Sequence, residues 1–139
     1  MKKARPASDS CWCDSGRTAR DCCAPLLARQ TTALTAEALM RSRYSAYAAK
    51  NEAYILDTWH PATRPSELHL DDKQRWSGLK VVDVKAGGVQ DNTGQVEFVA
   101  RYKIAGRGYR LHETSCFERI DGCWVYLDGH LPEESVKPC

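Results

Sequence analysis

Four of the seven cysteines in this 139-residue chain fall inside thirteen positions, in the stretch C-W-C-D-S-G-R-T-A-R-D-C-C at 11–23. Thiolate sulfur is the donor that structural zinc prefers, and four such donors complete a tetrahedron with Zn–S distances of ~2.3 Å. Cys11 and Cys13 can face one ion if the chain turns at Trp12, and the adjacent Cys22 and Cys23 can converge on it at a turn or a helix start. Asp14-Ser15-Gly16 supplies turn chemistry between the two pairs, with Gly16 free to adopt a positive φ. Disulfides are the competing use of clustered cysteines. The odd count of seven and the lack of an apolar stretch after the basic N-terminal residues speak for a reducing, cytoplasmic setting, where metal binding is the better reading. One structural Zn2+ per chain is therefore expected.

The cluster resembles the SEC-C motif, which reads roughly C-P-C-G-S-G-x5-C-[HC]. The resemblance makes Cys11, Cys13, Cys22 and Cys23 the ligands and Ser15-Gly16 the motif's turn. Trp12 stands where Pro is usual, Asp14 where Gly is usual, and Ala19 where an aromatic residue is frequent. The ligands survive these departures, while the motif's recognition surface is altered.

Charge narrows the partners. The formal net charge of +2 counts thiols as neutral. Four thiolates and one Zn2+ sum to −2, so the metallated chain is close to neutral. Nucleic acid is accordingly not an expected partner, since it calls for a surplus of positive charge. Arg5, Arg17 and Arg20 read instead as counter-charges for the thiolates. No apolar run reaches the ~20 residues of a membrane span.

The remaining candidates for chemistry are carboxylates and histidines: Glu113, Asp128 and His130 late in the chain, and His60 beside Trp59. What they can do depends on the elements that carry them. Residues 1–30 are expected to form the zinc element and 31–139 an α+β body. Thr35 is a plausible N-cap for a helix whose stripe of Leu39, Met40, Tyr44 and Tyr47 also contains Arg43. A second short helix follows an Asn51 cap and ends before Pro61. From residue 76 the period changes to two. Strands are predicted over 76–86, 94–104, 107–120 and 123–131, with A-G and D-G as tight hairpin turns.

Continuing that register puts Phe98, Leu111, Glu113, Ser115, Phe117 and Tyr126 on one sheet face, together with Asp128 and His130. The opposite face carries Glu97, Arg101, Lys103, Arg110 and His112, along with Cys116 and Cys123, which are expected to be ordinary thiols. The aromatic face must be covered by the helices. Buried carboxylates need partners, and Arg43 is the expected partner of Glu113, or of Asp128 in the same role.

Several segments together resemble the YchJ-like family: L-M-R-S-R-Y-S-A-Y (39–47), T-W-H-P (58–61), W-S-G-L (76–79), F-V-A-R-Y (98–102), H-E-T-S-C-F (112–117) and W-V-Y-L-D-G (124–129). The resemblance implies a nuclear-transport-factor-2-like (cystatin-like) cone, a curved antiparallel sheet wrapped on helices, joined to the SEC-C motif. Many members end in a second SEC-C motif, of which Cys139 would be at most a remnant. No activity carries over. Nothing in the chain reads as a nucleophile elbow, a phosphate loop or a second metal cluster, so the first expectation is a non-enzymatic adaptor that meets a protein partner through its zinc element. The alternative is a small-molecule binder, or an isomerase- or dehydratase-like enzyme, using Glu113, Asp128 and His130 in the cone.

Overall fold

The computed structural model describes residues 10–131. Cys139 and Arg5 lie outside them. The cysteine-rich segment leads through one 3-10 turn into a single-turn helix α1 (Ala24–Leu27). Helices α2 (Ala36–Ala49) and α3 (Glu52–Asp57) follow, then four strands: β1 (Gln74–Ala86), β2 (Thr93–Ile104), β3 (Arg107–Ile120) and β4 (Cys123–His130). The strands form one antiparallel sheet in the order β1-β2-β3-β4. No helix among the described residues is long and apolar enough to cross a membrane.

Local chemistry sets the boundaries. Thr35 caps α2 by accepting from the Ala38 N–H at 3.0 Å, and Asn51 caps α3 by accepting from the Tyr54 N–H at 3.1 Å. Both hairpin turns have two consecutive positive-φ residues, Ala105-Gly106 and Asp121-Gly122. That is the twist-matched geometry of a two-residue connection. Helix α2 lies across the aromatic sheet face and α3 packs on α2, with Leu39, Ile55, Val96, Phe117 and Trp124 in their common core.

Each sheet edge is tied down at one place, where a backbone group that would otherwise be open to association is satisfied. On β1, the Leu79 N–H donates to Asp14 Oδ2 at 3.0 Å, so the cysteine loop caps that edge. On β4, the Tyr126 N–H donates to the Thr58 carbonyl, and the His60 N–H to the Tyr126 carbonyl. This sets Trp59 beside Tyr126 in a parallel bridge.

The register differs from the predicted one at one place. Ile120 pairs with Cys123 and Phe117 with Tyr126, as expected, but Cys116 pairs with Asp128. Leu127 is the extra residue of a bulge, and the Thr63 hydroxyl donates to its carbonyl at 2.7 Å. One inserted residue reverses the facing of everything beyond it. Asp128 and His130 therefore share the outer face with Cys116 and Thr114, not the helix-covered face with Glu113. Gly129 takes the inner position opposite Ser115.

Candidate metal centre and cone cavity

The four clustered cysteines converge. The sulfurs of Cys11, Cys13, Cys22 and Cys23 all lie within 4.8 Å of one another. Cys13 and Cys22 sulfurs are 3.5 Å apart, and those of Cys22 and Cys23 are 3.8 Å apart. A tetrahedral ion with ~2.3 Å bonds to sulfur requires edges of about 3.8 Å, so the set fits a metal ion.

The backbone explains the convergence. Cys11 N–H donates to the Arg17 carbonyl and Asp14 N–H to the Cys11 carbonyl, closing a tight knuckle. Asp14 and Gly16 both take positive φ, at 59° and 87°, within it. Three of the sulfur-bearing residues, Cys11, Cys13 and Cys23, are buried. The Ser15 hydroxyl lies 3.2 Å from Cys22 Sγ, and Arg17 Nη2 donates to the same sulfur at 3.7 Å. The sulfurs of Cys11, Cys13 and Cys23 share protons unevenly. Hydrogen bonding from Cys13 and then Cys23 lowers the Cys11 pKa, while the same sharing raises those of Cys13 and Cys23. A divalent cation would relieve that crowding by replacing the shared protons.

The knuckle is fastened to the body. Besides Asp14 on β1, Arg41 of α2 donates to the Cys13 carbonyl at 2.8 Å, and Ser45 Oγ of α2 lies 3.7 Å from Cys11 Sγ. Arg41 and Ser45 carried no signal in the sequence, because their partners are 28 and 34 residues away.

Beneath the helices the sheet encloses a cavity of about 220 Å³. Its lining is mainly aromatic, including Tyr47, Trp59, Trp76 and Tyr126, with Arg43 and Glu113 as its two charged groups. Arg43 is 6% exposed. Its Nη1 donates to the Ile55 carbonyl and the Thr58 hydroxyl, each at 2.7 Å. Its guanidinium lies 5.0 Å from the ring centre of Trp59 and 4.7 Å from that of Tyr126. Glu113 Oε2 accepts from the Ser115 hydroxyl at 2.7 Å and from the Tyr126 hydroxyl at 3.4 Å.

The expected ion pair is thus replaced by a different arrangement. Arg43 and Glu113 face one cavity, but Arg43 makes no ion pair within 4 Å to Glu113, to Asp128 or to any described carboxylate. Backbone carbonyl, hydroxyl and two aromatic faces satisfy the guanidinium instead. Burial raises the pKa values of Tyr47, Tyr54 and Tyr126, and for Tyr126 the Glu113 charge adds to the effect. These phenols remain hydrogen-bond donors.

The other candidates lie elsewhere. Asp128 and His130 sit on the outer face, 3.6 Å apart, and do not line the cavity. They come near Cys116, but Cys116 is disulfide-bonded, which corrects the expectation of a free thiol there and removes its sulfur as a donor. Cys123 is a free, exposed thiol. His60 contacts Glu118 at 3.2 Å, accepts the Ala62 N–H at 3.0 Å, and pins the loop after α3 against β4.

Comparison with known proteins agrees with this architecture. The family described as "YchJ, middle NTF2-like domain" matches residues 35–129, and the SEC-C motif matches residues 8–25. A UPF0225 protein of Chromobacterium violaceum is 49% identical over 132 residues, covering 93% of this chain and 98% of its own. A UPF0225 protein of Streptomyces coelicolor is 47% identical over 121 residues, covering 87% and 94%. The solution structure of a SEC-C motif containing protein from Rhodopseudomonas palustris superposes with a TM-score of 0.78 at 38% identity, over 88% of this chain and 98% of that one. A fold built on a cysteine knuckle and a curved sheet, matched along nearly its whole length by these relatives, places the chain in the YchJ-like UPF0225 family.

Proposed function

We propose that the chain is a small-molecule-binding protein whose cone cavity is the site and whose four cysteines hold one structural zinc. One observation carries the reading. A buried cation, Arg43, and a half-buried carboxylate, Glu113, line the same aromatic cavity without pairing directly. Charges placed in a low-dielectric pocket are costly unless something compensates them, and a few polar groups converging on an apolar pocket is the general form of a ligand site. Because the two charges cancel, the favoured ligand is uncharged overall, flat enough to lie against the rings, and able both to donate to Glu113 and to accept.

Asp128 and His130 take no part in this site, so the support is for binding and not for acid–base chemistry by that pair. The test is native mass spectrometry of the protein purified from cells under gentle conditions. An adduct that survives in the wild type and is lost in Glu113→Gln supports the reading. A bare chain carrying only the metal counts against it.

An adaptor role has one observation in its favour: Trp12, between two of the sulfur ligands, is 40% exposed. Exposed tryptophan is a frequent interface anchor. Trp12→Ala abolishing co-purification of a defined partner, with the metal content unchanged, would support it.

A further inference from the structure

The bulge at Leu127 gathers three metal-ligating side chains on the outer face of the sheet, away from both the cone cavity and the cysteine knuckle. Beyond it, Asp128 pairs with Cys116 and His130 with Thr114, so Cys116, Asp128 and His130 share that face. The Cys116 sulfur, an Asp128 carboxylate oxygen and a His130 ring nitrogen all lie within 4.8 Å of one another. His130 Nε2 is 3.6 Å from Asp128 Oδ1. Zinc bonds of ~2.0–2.1 Å to nitrogen and oxygen set such atoms about 3.4 Å apart on a tetrahedron, so only a small closure is needed. Cys116 is 2% exposed, which shields its sulfur from bulk solvent. All three donors stand on the two strands of one hairpin, a more precise support than a loop.

The donor set is balanced as well as convergent. A thiolate and a carboxylate together carry −2, the imidazole is neutral, and a divalent cation cancels the sum. One sulfur, one oxygen and one nitrogen suit zinc, and three protein ligands leave a fourth tetrahedral position to water. What withholds the sulfur is its disulfide. Cys11, Cys13, Cys22, Cys23 and Cys123 are free thiols. Of the seven cysteines, Cys139 is then the one left to pair with Cys116.

From this juxtaposition we infer that Cys116, Asp128 and His130 form a second divalent-metal site, closed while Cys116 and Cys139 are joined and opened by reduction of that bond. A dithiol reductant breaks the S–S bond. It supplies two electrons and two protons, becomes a disulfide itself, and leaves thiols at Cys116 and Cys139. Zn2+ then replaces the Cys116 thiol proton, which passes to solvent, and takes Asp128 and His130 as its other protein ligands. A small-molecule disulfide reverses the exchange: it is reduced to two thiols, the S–S bond between Cys116 and Cys139 re-forms, and the ion leaves. The site uses none of the knuckle's four sulfurs and none of the cavity lining.

The test is equilibrium dialysis of the full chain against dilute Zn2+, with and without a phosphine reductant, followed by counting of metal per chain by atomic emission. Cys116→Ser sets the baseline, because it keeps the four clustered cysteines and lacks only this sulfur donor. Reduced wild type should hold one more ion per chain than reduced Cys116→Ser, and His130→Gln should fall to that baseline. Oxidised wild type should hold no more than the baseline. Cys139→Ser, which cannot close the bond, should take the extra ion without reductant. Equal zinc in reduced wild type and reduced Cys116→Ser overturns the site, whatever the knuckle holds. An extra ion that survives His130→Gln also overturns it, because the ion then sits elsewhere. Uptake by wild type that is the same with and without reductant, or uptake by Cys139→Ser that still requires reductant, overturns the disulfide as its gate.

Discussion

Arg43 is held by groups that do not neutralise it. Two carbonyl or hydroxyl acceptors at 2.7 Å and two aromatic faces within 5.0 Å surround a guanidinium that is almost fully desolvated. Hydrogen bonds to a charged group contribute about 1.5–3 kcal/mol, and desolvated cation–π contacts up to about 2 kcal/mol. Arg43→Met leaves the Ile55 carbonyl without this donor and empties the space between Trp59 and Tyr126. Removal of a buried charge offsets part of that loss, so we expect a net destabilisation of about 2–4 kcal/mol, read as a lowered urea midpoint. Glu113→Gln keeps acceptors for Ser115 and Tyr126 and should cost less than about 1 kcal/mol. A strong loss of stability in Glu113→Gln would mean that the carboxylate braces the fold and is not held ready for a ligand. The buried tyrosines give a pH signature. Their native pKa values are raised above the ordinary value of 10, chiefly by burial. Unfolding lets them ionise sooner than the native state does. Their contribution to stability is thus complete below pH 10 and is lost as pH rises beyond it. An alkaline titration followed at 295 nm should show part of the tyrosinate signal appearing only with unfolding.

At the level of elements, what the sequence revealed and what it hid have separate physical causes. Helix α2, helix α3 and the two hairpins were legible because Thr35, Asn51, Ala105-Gly106 and Asp121-Gly122 carry their instructions locally. The sulfur knuckle was legible for the same reason, since its ligands lie within thirteen residues. The facing of Asp128 and His130 was not, because the Leu127 bulge is fixed by a tertiary contact, the Thr63 hydroxyl on its carbonyl from 64 residues earlier. One local signal did point to it. Glycine inside a strand often marks a bulge or a close approach, and Gly129 does both. A β-carbon there would overlap the Glu113 carboxylate. Gly129→Ala should therefore force Glu113 away from Ser115 at a cost of about 1–3 kcal/mol. In a Glu113→Ala background the obstacle is gone, and the same substitution should be nearly neutral. Equal costs in the two backgrounds, measured as a double-mutant cycle, would show that the two residues do not share that space.

Across the whole molecule, the sulfur knuckle and the cone are joined by more than a peptide link. Cys11, Cys13 and Cys23 belong to the same buried cluster as Leu26, Leu39, Met40 and Ala46, and polar contacts from Arg41, Ser45 and Leu79 tie the knuckle to α2 and β1. Read by itself, the cysteine segment is a mini-domain that loses its structure when the metal leaves, since structural zinc supplies on the order of 10 kcal/mol of folding free energy to a unit with no core of its own. The aromatic rings of the body, Trp76, Phe117, Trp124 and Tyr126, pack on each other and on α2 away from the sulfurs, so the body should keep its fold. It should not keep its full stability. Demetallation uncaps the β1 edge at Leu79 and exposes the face of α2 that carries Ser45 and Arg41. A loss of about 3 kcal/mol from the body lowers the melting temperature by roughly 10 °C in a domain of this size. With excess chelator, the near-UV circular dichroism at 25 °C should persist while the melting temperature falls by about that amount, and re-addition of Zn2+ should restore it. An unchanged melting temperature would show that the knuckle is only tethered. Complete loss of the near-UV signal at 25 °C would show that metal and cone fold as one cooperative unit.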